Sequence, residues 1–216
     1  LSPDKDKPLN GKLLIQMFEK SSLRTRISFY LAIKQLGGGT ITMRPDELHM
    51  GQGGESIPDT AKILSSYGDI FLLRTNNDSK LEKFKSNLNI PLINGLSPSS
   101  HPAQILSDIF PIEEIKKKKI TNLNITWIGD SNNVLNSLIE ASVKFKFKLN
   151  LACPTLYKPK KNIIKWLNTN KHKVKILHDP KKALENADVV ITDKFVSMND
   201  KAVSYTHLTL PTTEYV

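Results

Sequence analysis

The 216-residue chain carries a single cysteine, Cys153, so an internal disulfide framework is excluded and a reducing, cytoplasmic compartment is expected. No apolar run reaches about 18 residues, which excludes an ordinary transmembrane helix and a membrane partner of that kind. The opening stretch, LSPDKDKPLNGK, is polar and lacks the apolar segment of a secretory signal. Arginine is scarce: of 31 basic residues only Arg24, Arg26, Arg44 and Arg74 are arginines, so the net charge of +10 is largely lysine. The lysine run at 116–119 reads as a solvated linker or helix end, since no zinc-finger spacing or aromatic-rich RNA motif accompanies it. Nucleic acid is therefore not an expected partner. Nucleotide fingerprints are missing as well. There is no G-x-x-x-x-G-K loop, and WIGDSNN holds one glycine where a dinucleotide fold uses three, which argues against a nicotinamide enzyme.

What the chain does have is alternation. Short apolar runs at 12–18, 39–43, 69–75 and 90–95 read as strands, separated by amphipathic stretches near 25–36, 56–67 and 79–87. The run SSHPAQILSDIFPIEEIKKKK, residues 99–119, reads as a helical stretch interrupted at Pro111. The alternation then restarts, with strands near 124–129, 148–153, 174–178 and 188–192 and helices near 132–145, 160–170 and 180–186. This pattern predicts an α/β fold of two doubly wound parallel sheets joined near 105–122, with strands buried on both faces and the second half Rossmann-like. Ligands of such sheets bind beyond the carboxyl ends of the strands, and those segments hold all four arginines.

The segment KSSLRTRIS, residues 20–28, lies where the first strand hands over to a helix expected to start near Thr25. Free N–H groups at a helix start, the hydroxyls of Ser22 and Thr25, and the fork of Arg24 describe a phosphate site. Arg74 and His101 fall at equivalent strand ends. Asp193 follows the run DVVIT, where a carboxylate is suited to an amino-acid ammonium or to forming a turn. Cys153 reads as a buried hydrophobe, and His172 and His178 as surface or packing residues. No metal, cofactor or covalent nucleophile is called for.

These segments resemble one family. FEKSSLRTRISF is similar to the S-T-R-T-R phosphate loop of the aspartate and ornithine carbamoyltransferases. HPAQILSD resembles their H-P-x-Q segment, and GESIPDTAKILSSYGDIFLLRT the stretch leading to a further phosphate-side arginine. GDSNNVLNS and DKFVSM resemble motifs of the ornithine branch. The likeness runs from about residue 8 to about 201.

The resemblance implies transfer of the carbamoyl group of carbamoyl phosphate to the side-chain amine of L-ornithine, giving citrulline and phosphate in arginine or urea-cycle metabolism. Alternatives are a different amine acceptor, or a protein that binds carbamoyl phosphate or associates subunits without catalysis. It implies that Ser22, Leu23 (through its main-chain N–H), Arg24 and Thr25 hold phosphate, and that Arg74 and His101 are catalytic, facing the carbonyl and bridging oxygens. Gln104 binds the carbamoyl amine, and His49, with Gln52 as its rival, reaches into a neighbouring subunit's site. Asn133, Asp193, Ser197 and Met198 hold ornithine, and Arg26 pairs with a nearby carboxylate. Leu23 stands where the family has threonine and Phe195 where it has tryptophan. A homotrimer or a multiple of trimers is implied. The domains are expected at 1–118 for carbamoyl phosphate and 119–200 for the amino acid, the second incomplete. Residues 201–216, AVSYTHLTLPTTEYV included, are expected to be a non-native tail, and the chain a fragment.

Overall fold

The computed structural model describes residues 7–44, 54–170, 172 and 174–193. Strands β1 (Leu13–Phe18), β2 (Gly39–Met43), β3 (Ile70–Arg74) and β4 (Leu92–Leu96) alternate with helices α1 (Leu23–Gln35), α2 (Ile57–Tyr67) and α3 (Asp78–Asn87). They form a parallel sheet of order β2-β1-β3-β4. Helix α4 (Pro102–Lys116) leads to β5 (Asn124–Ile128), β6 (Lys148–Ala152), β7 (Val174–Leu177) and β8 (Val189–Ile191), which alternate with α5 (Asn133–Phe145), α6 (Lys161–Thr169) and α7 (Pro180–Leu184). The second sheet is also parallel, of order β7-β6-β5-β8.

The period of two in β1 and β3 explains the double winding. Ile15, Met17, Phe71 and Leu73 pack with Ala61 and Leu64 of α2 and Phe84 of α3. Their neighbours Leu14 and Leu72 turn to the opposite face and meet Ile33 of α1. Phe71 and Phe84 are fully buried with ring centroids 5.2 Å apart. In the second sheet Trp127, Leu149 and Leu151 pack with α5 and α6, while Thr126 Oγ1 donates to the Ala183 carbonyl of α7 at 2.9 Å on the other face. Burial on both faces describes the inner strands only. The edge strands β2 and β7 leave Ile41 and Ile176 exposed.

Two expectations are corrected. Helix α4 does not break at Pro111 but runs through it. A proline there removes one helical N–H, a loss of about 3 kcal/mol in an isolated helix. Ile105 and Ile109 of the same helix are buried in the second sheet's core, which offsets that loss. So α4, which lies before the expected boundary at 118, packs on α5 and joins the core of the second sheet while also touching β4 of the first. Helix α1 starts at Leu23 rather than near Thr25, with Ser22 as its N-cap.

The chain is also bent on its way to the site. Between β3 and β4 the register shifts so that Arg74 pairs with Leu96, leaving out Gly95. Leu96 has φ +148°, a conformation that costs a non-glycine residue on the order of 1–3 kcal/mol. Its N–H is held by Asn94 Oδ1 at 3.0 Å, and its carbonyl accepts from Thr75 N at 3.1 Å. The strained residue opens the loop 97–101. After β5, Gly129 turns the chain into α5 with φ +141°, which only glycine adopts at low cost.

Candidate active site

The first helical bond of α1 runs from Arg26 N to Ser22 O at 3.2 Å, so the N–H groups of Leu23, Arg24 and Thr25 precede it. The Ser22 side chain makes no capping bond. Arg24 is exposed and Leu23 is 75% exposed, while Ser22 and Thr25 are half-buried. The start of α1 is thus a cluster of donors with a positive dipole end. Arg26 is also exposed and has no carboxylate partner among the described residues, so the expected ion pair is not formed there.

Arg74, at the end of β3, is only 9% exposed. One terminal nitrogen donates to Thr25 Oγ1 at 3.2 Å, while its buried Nε has no hydrogen-bond partner among the described residues. Burial pulls its guanidinium below the ordinary value. His101 is the N-cap of α4 and is half-buried, with Nδ1 buried and without a hydrogen-bond partner among the described residues. Burial, and then the charge of Arg74, hold its imidazole below the ordinary histidine value, with Asp193 acting in the opposite sense. Arg74, His101 and Asp193 are therefore electrostatic neighbours, although they come from both sheets.

The second sheet grips the loop that carries His101. From α5, Asn133 Nδ2 donates to the Ser97 carbonyl at 3.1 Å and Asn136 Nδ2 to the Ser99 carbonyl at 3.0 Å. Ser137 Oγ, buried, lies 2.9 Å from Ser100 Oγ and accepts from His101 N at 2.8 Å. Positions 133, 136 and 137 share one helical face, which explains how one helix reaches three points of the loop. At the start of α5, Asn132 Oδ1 accepts from Val134 N and Leu135 N, and its Nδ2 donates to Asp193 Oδ2 at 2.7 Å.

Thr25, Arg74 and His101 thus lie together at strand ends of the first sheet, with Ser22, Leu23 and Arg24 beside Thr25 at the start of α1, while Asp193 acts on His101 by charge and Asn133 holds the loop that carries it. Gln104 is exposed and donates to Asp108 Oδ1 at 2.8 Å. Burial raises the Asp108 carboxyl, and that hydrogen bond opposes the rise. His49, Gln52, Phe195, Ser197, Met198 and the tail 201–216 lie outside the described residues. Cys153 is fully buried, and burial followed by the charge of Asp130 pushes its thiol up to about 11, so it is no nucleophile near neutral pH. Among the described residues no group of three or more His, Cys, Asp or Glu side chains is placed to hold a metal. Sequence reasoning missed Asn132, Asn136 and Ser137. Asn132 was legible as an asparagine just before an apolar helical period, but a serine one turn into a helix carries no mark of a distant partner.

Comparison with known proteins bears on the family and the fold. Residues 2–114 match the family model described as aspartate/ornithine carbamoyltransferase, carbamoyl-P binding domain, and residues 121–213 match its Asp/Orn binding domain. An ornithine carbamoyltransferase of Rhodopseudomonas palustris is 41% identical over 204 residues, which cover 94% of this chain and 65% of that protein. One from Mesorhizobium japonicum is 40% identical over 198 residues, again 65% of its own length. The chain therefore spans about two thirds of the length of these curated relatives. Among solved structures, the anabolic ornithine carbamoyltransferase of Campylobacter jejuni superposes with a TM-score of 0.80 at 36% identity, over 91% of this chain and 66% of that one. The enzyme of Pyrococcus furiosus gives a TM-score of 0.80 at 37% identity, over 91% and 64%. On both of its family domains and on its fold, this chain belongs to the aspartate/ornithine carbamoyltransferase family.

Proposed function

We propose that the protein transfers the carbamoyl group of carbamoyl phosphate to the side-chain amine of L-ornithine, yielding citrulline and phosphate. The observation that carries this reading is the pair of buried, unpartnered nitrogens, Arg74 Nε and His101 Nδ1, beside a helix start rich in anion-binding donors. Buried polar atoms are nearly always paired, so two orphans at one cleft fit a ligand that supplies the missing partners. The α1 N–H groups, Ser22, Arg24 and Thr25 bind the phosphate. Arg74 and His101 meet the carbonyl and bridging oxygens, and Gln104 the carbamoyl nitrogen after it leaves Asp108. His101, held neutral by burial, serves as a hydrogen-bonding group and not as a second cation.

In the reaction the uncharged amine nitrogen attacks the carbonyl carbon. A carbon–nitrogen bond forms, the bond to the phosphate oxygen breaks with its electron pair leaving on phosphate, and the proton that the attacking nitrogen loses passes to the departing phosphate, which leaves as hydrogen phosphate. Donors facing the carbonyl oxygen stabilise the oxyanion by about 3–4 kcal/mol each. Asp193 binds the α-ammonium of the amino acid, assisted by Asn133, Ser197 and Met198. His49 or Gln52 arrives from a neighbouring subunit of a homotrimer or a multiple of trimers. The carbamoyl-phosphate unit spans 1–118 and the amino-acid unit 119–200, with α4 bridging them. The setting is cytoplasmic and the pathway is arginine or urea-cycle metabolism.

The test is citrulline formation by the gene product at its native length, supplied with carbamoyl phosphate and ornithine. Turnover that requires both substrates supports the reading. A carbamoylated product formed only with another amine would replace the acceptor, and no transfer to any amine would contradict catalysis.

A further inference from the structure

The last residue before the phosphate loop is an acid. Glu19 follows β1 directly, and its side chain is 12% exposed. A carboxylate so placed works against anion binding unless it is neutralised. Its partners come from the neighbouring strand end and from α3. Thr75 Oγ1 donates to Glu19 Oε2, and Lys80 Nζ, 27% exposed, forms an ion pair with Glu19 Oε1. The main chain joins the same pair of strands, with Glu19 N donating to Arg74 O at 2.9 Å. Thr75 Oγ1 also accepts from Asn77 N at 3.1 Å, and Asn77 Oδ1 caps α3 by accepting from Lys80 N at 3.1 Å. Lys80 is thereby fixed at both ends, by its backbone at the cap and by its ammonium on Glu19.

Arg74 takes no part in this ion pair. Phe18 and Arg74 are register partners, so Glu19 and Thr75 point to the sheet face opposite the Arg74 side chain. The guanidinium stays with Thr25 of the phosphate loop. Two roles are thus separated across the sheet: Arg74 faces the anion, and Lys80 cancels the acid behind it.

We propose that Lys80 is a positioning and charge-balancing residue of the anion site. It neutralises Glu19, so that the strand ends carrying the phosphate loop and Arg74 are held together without a net negative charge beneath the ligand. The proposal rests on the reading of this cleft as a phosphate site.

The experiment measures inorganic phosphate binding by calorimetry on the native-length gene product, in wild type and in the Lys80→Met, Lys80→Arg, Glu19→Gln and Glu19→Gln/Lys80→Met variants. Citrulline formation is assayed on the same samples. Lys80→Met is expected to weaken phosphate binding about tenfold, the scale on which one uncompensated charge acts in a partly buried site. Lys80→Arg keeps wild-type affinity, and the double variant recovers it to within about threefold, since the acid and its partner leave together. A merely structural role predicts a double variant at least as impaired as Lys80→Met. That result, an unchanged Lys80→Met, or a wild type that binds no phosphate would each overturn the proposal. If the phosphate pattern holds but no citrulline forms, the acceptor or the catalysis has been misread and the charge pair stands.

Discussion

The main-chain N–H of His101 donates to Ser137 Oγ at 2.8 Å, which ties the loop at the end of the first sheet to a helix of the second. His101 is thus anchored through a buried hydroxyl that has no expected contact with either substrate. The same hydroxyl lies 2.9 Å from Ser100 Oγ, so its loss disturbs two groups.

Ser137→Ala is expected to lower stability by about 1–3 kcal/mol, because it leaves the His101 N–H without its partner. It is also expected to lower the turnover number more than it raises the KM for carbamoyl phosphate, since the α1 donors are untouched. Thermal unfolding and steady-state kinetics on one preparation check both. An unchanged melting temperature would show that this hydrogen bond contributes little.

The titration of His101 sets a sign for stability. Its folded-state value lies below the ordinary 6.5 because burial, and then Arg74, disfavour the imidazolium. Between the two values the unfolded chain binds more protons than the folded one. Stability is therefore fully present above pH 6.5 and is lost as the pH falls toward and through the depressed value. His101→Gln is expected to flatten this segment of the stability profile. Urea unfolding from pH 7.5 to 5 measures it, and identical slopes in the two proteins would contradict the assignment.

Asp193→Asn is expected to raise the KM for ornithine by tenfold or more, the scale of a lost charge-assisted contact of about 1.5–3 kcal/mol. Carbamoyl phosphate affinity stays within a few-fold, because Asp193 lies on the second sheet and the phosphate loop on the first. The Asn132 contact survives the substitution, so the helix cap is kept. A large loss of carbamoyl phosphate affinity with ornithine unaffected would reverse the assignment.

Cys153 should resist thiol reagents at pH 8 in the native protein and react on unfolding, given its full burial and a thiol near 11. Cys153→Ala is expected to leave turnover within about twofold of wild type. Rapid labelling without unfolding would show that the strand end carrying Cys153 opens to solvent.

Much of the fold was legible in the sequence because it is local. The run GTITM became β2 residue for residue, and the apolar period of NVLNSLIEASVKF became α5. The continuation of α4 through Pro111 was not, because proline's local cost is offset by the distant burial of Ile105 and Ile109. At the site, the sequence showed which residues lie at strand ends. It did not show the hold of α5 on the loop 97–101, or the ion pair of Glu19 with Lys80, since these join positions 36 to 61 residues apart.

The most direct measurement is citrulline formation by Arg74→Gln beside wild type, with both substrates saturating and the gene product at native length. Arg74 joins the phosphate loop through Thr25 and keeps a buried nitrogen free for a ligand. If this cleft stabilises the developing oxyanion, turnover falls by about 10²–10³-fold. Turnover within a few-fold of wild type, in a variant that folds normally, would contradict carbamoyl transfer at this cleft.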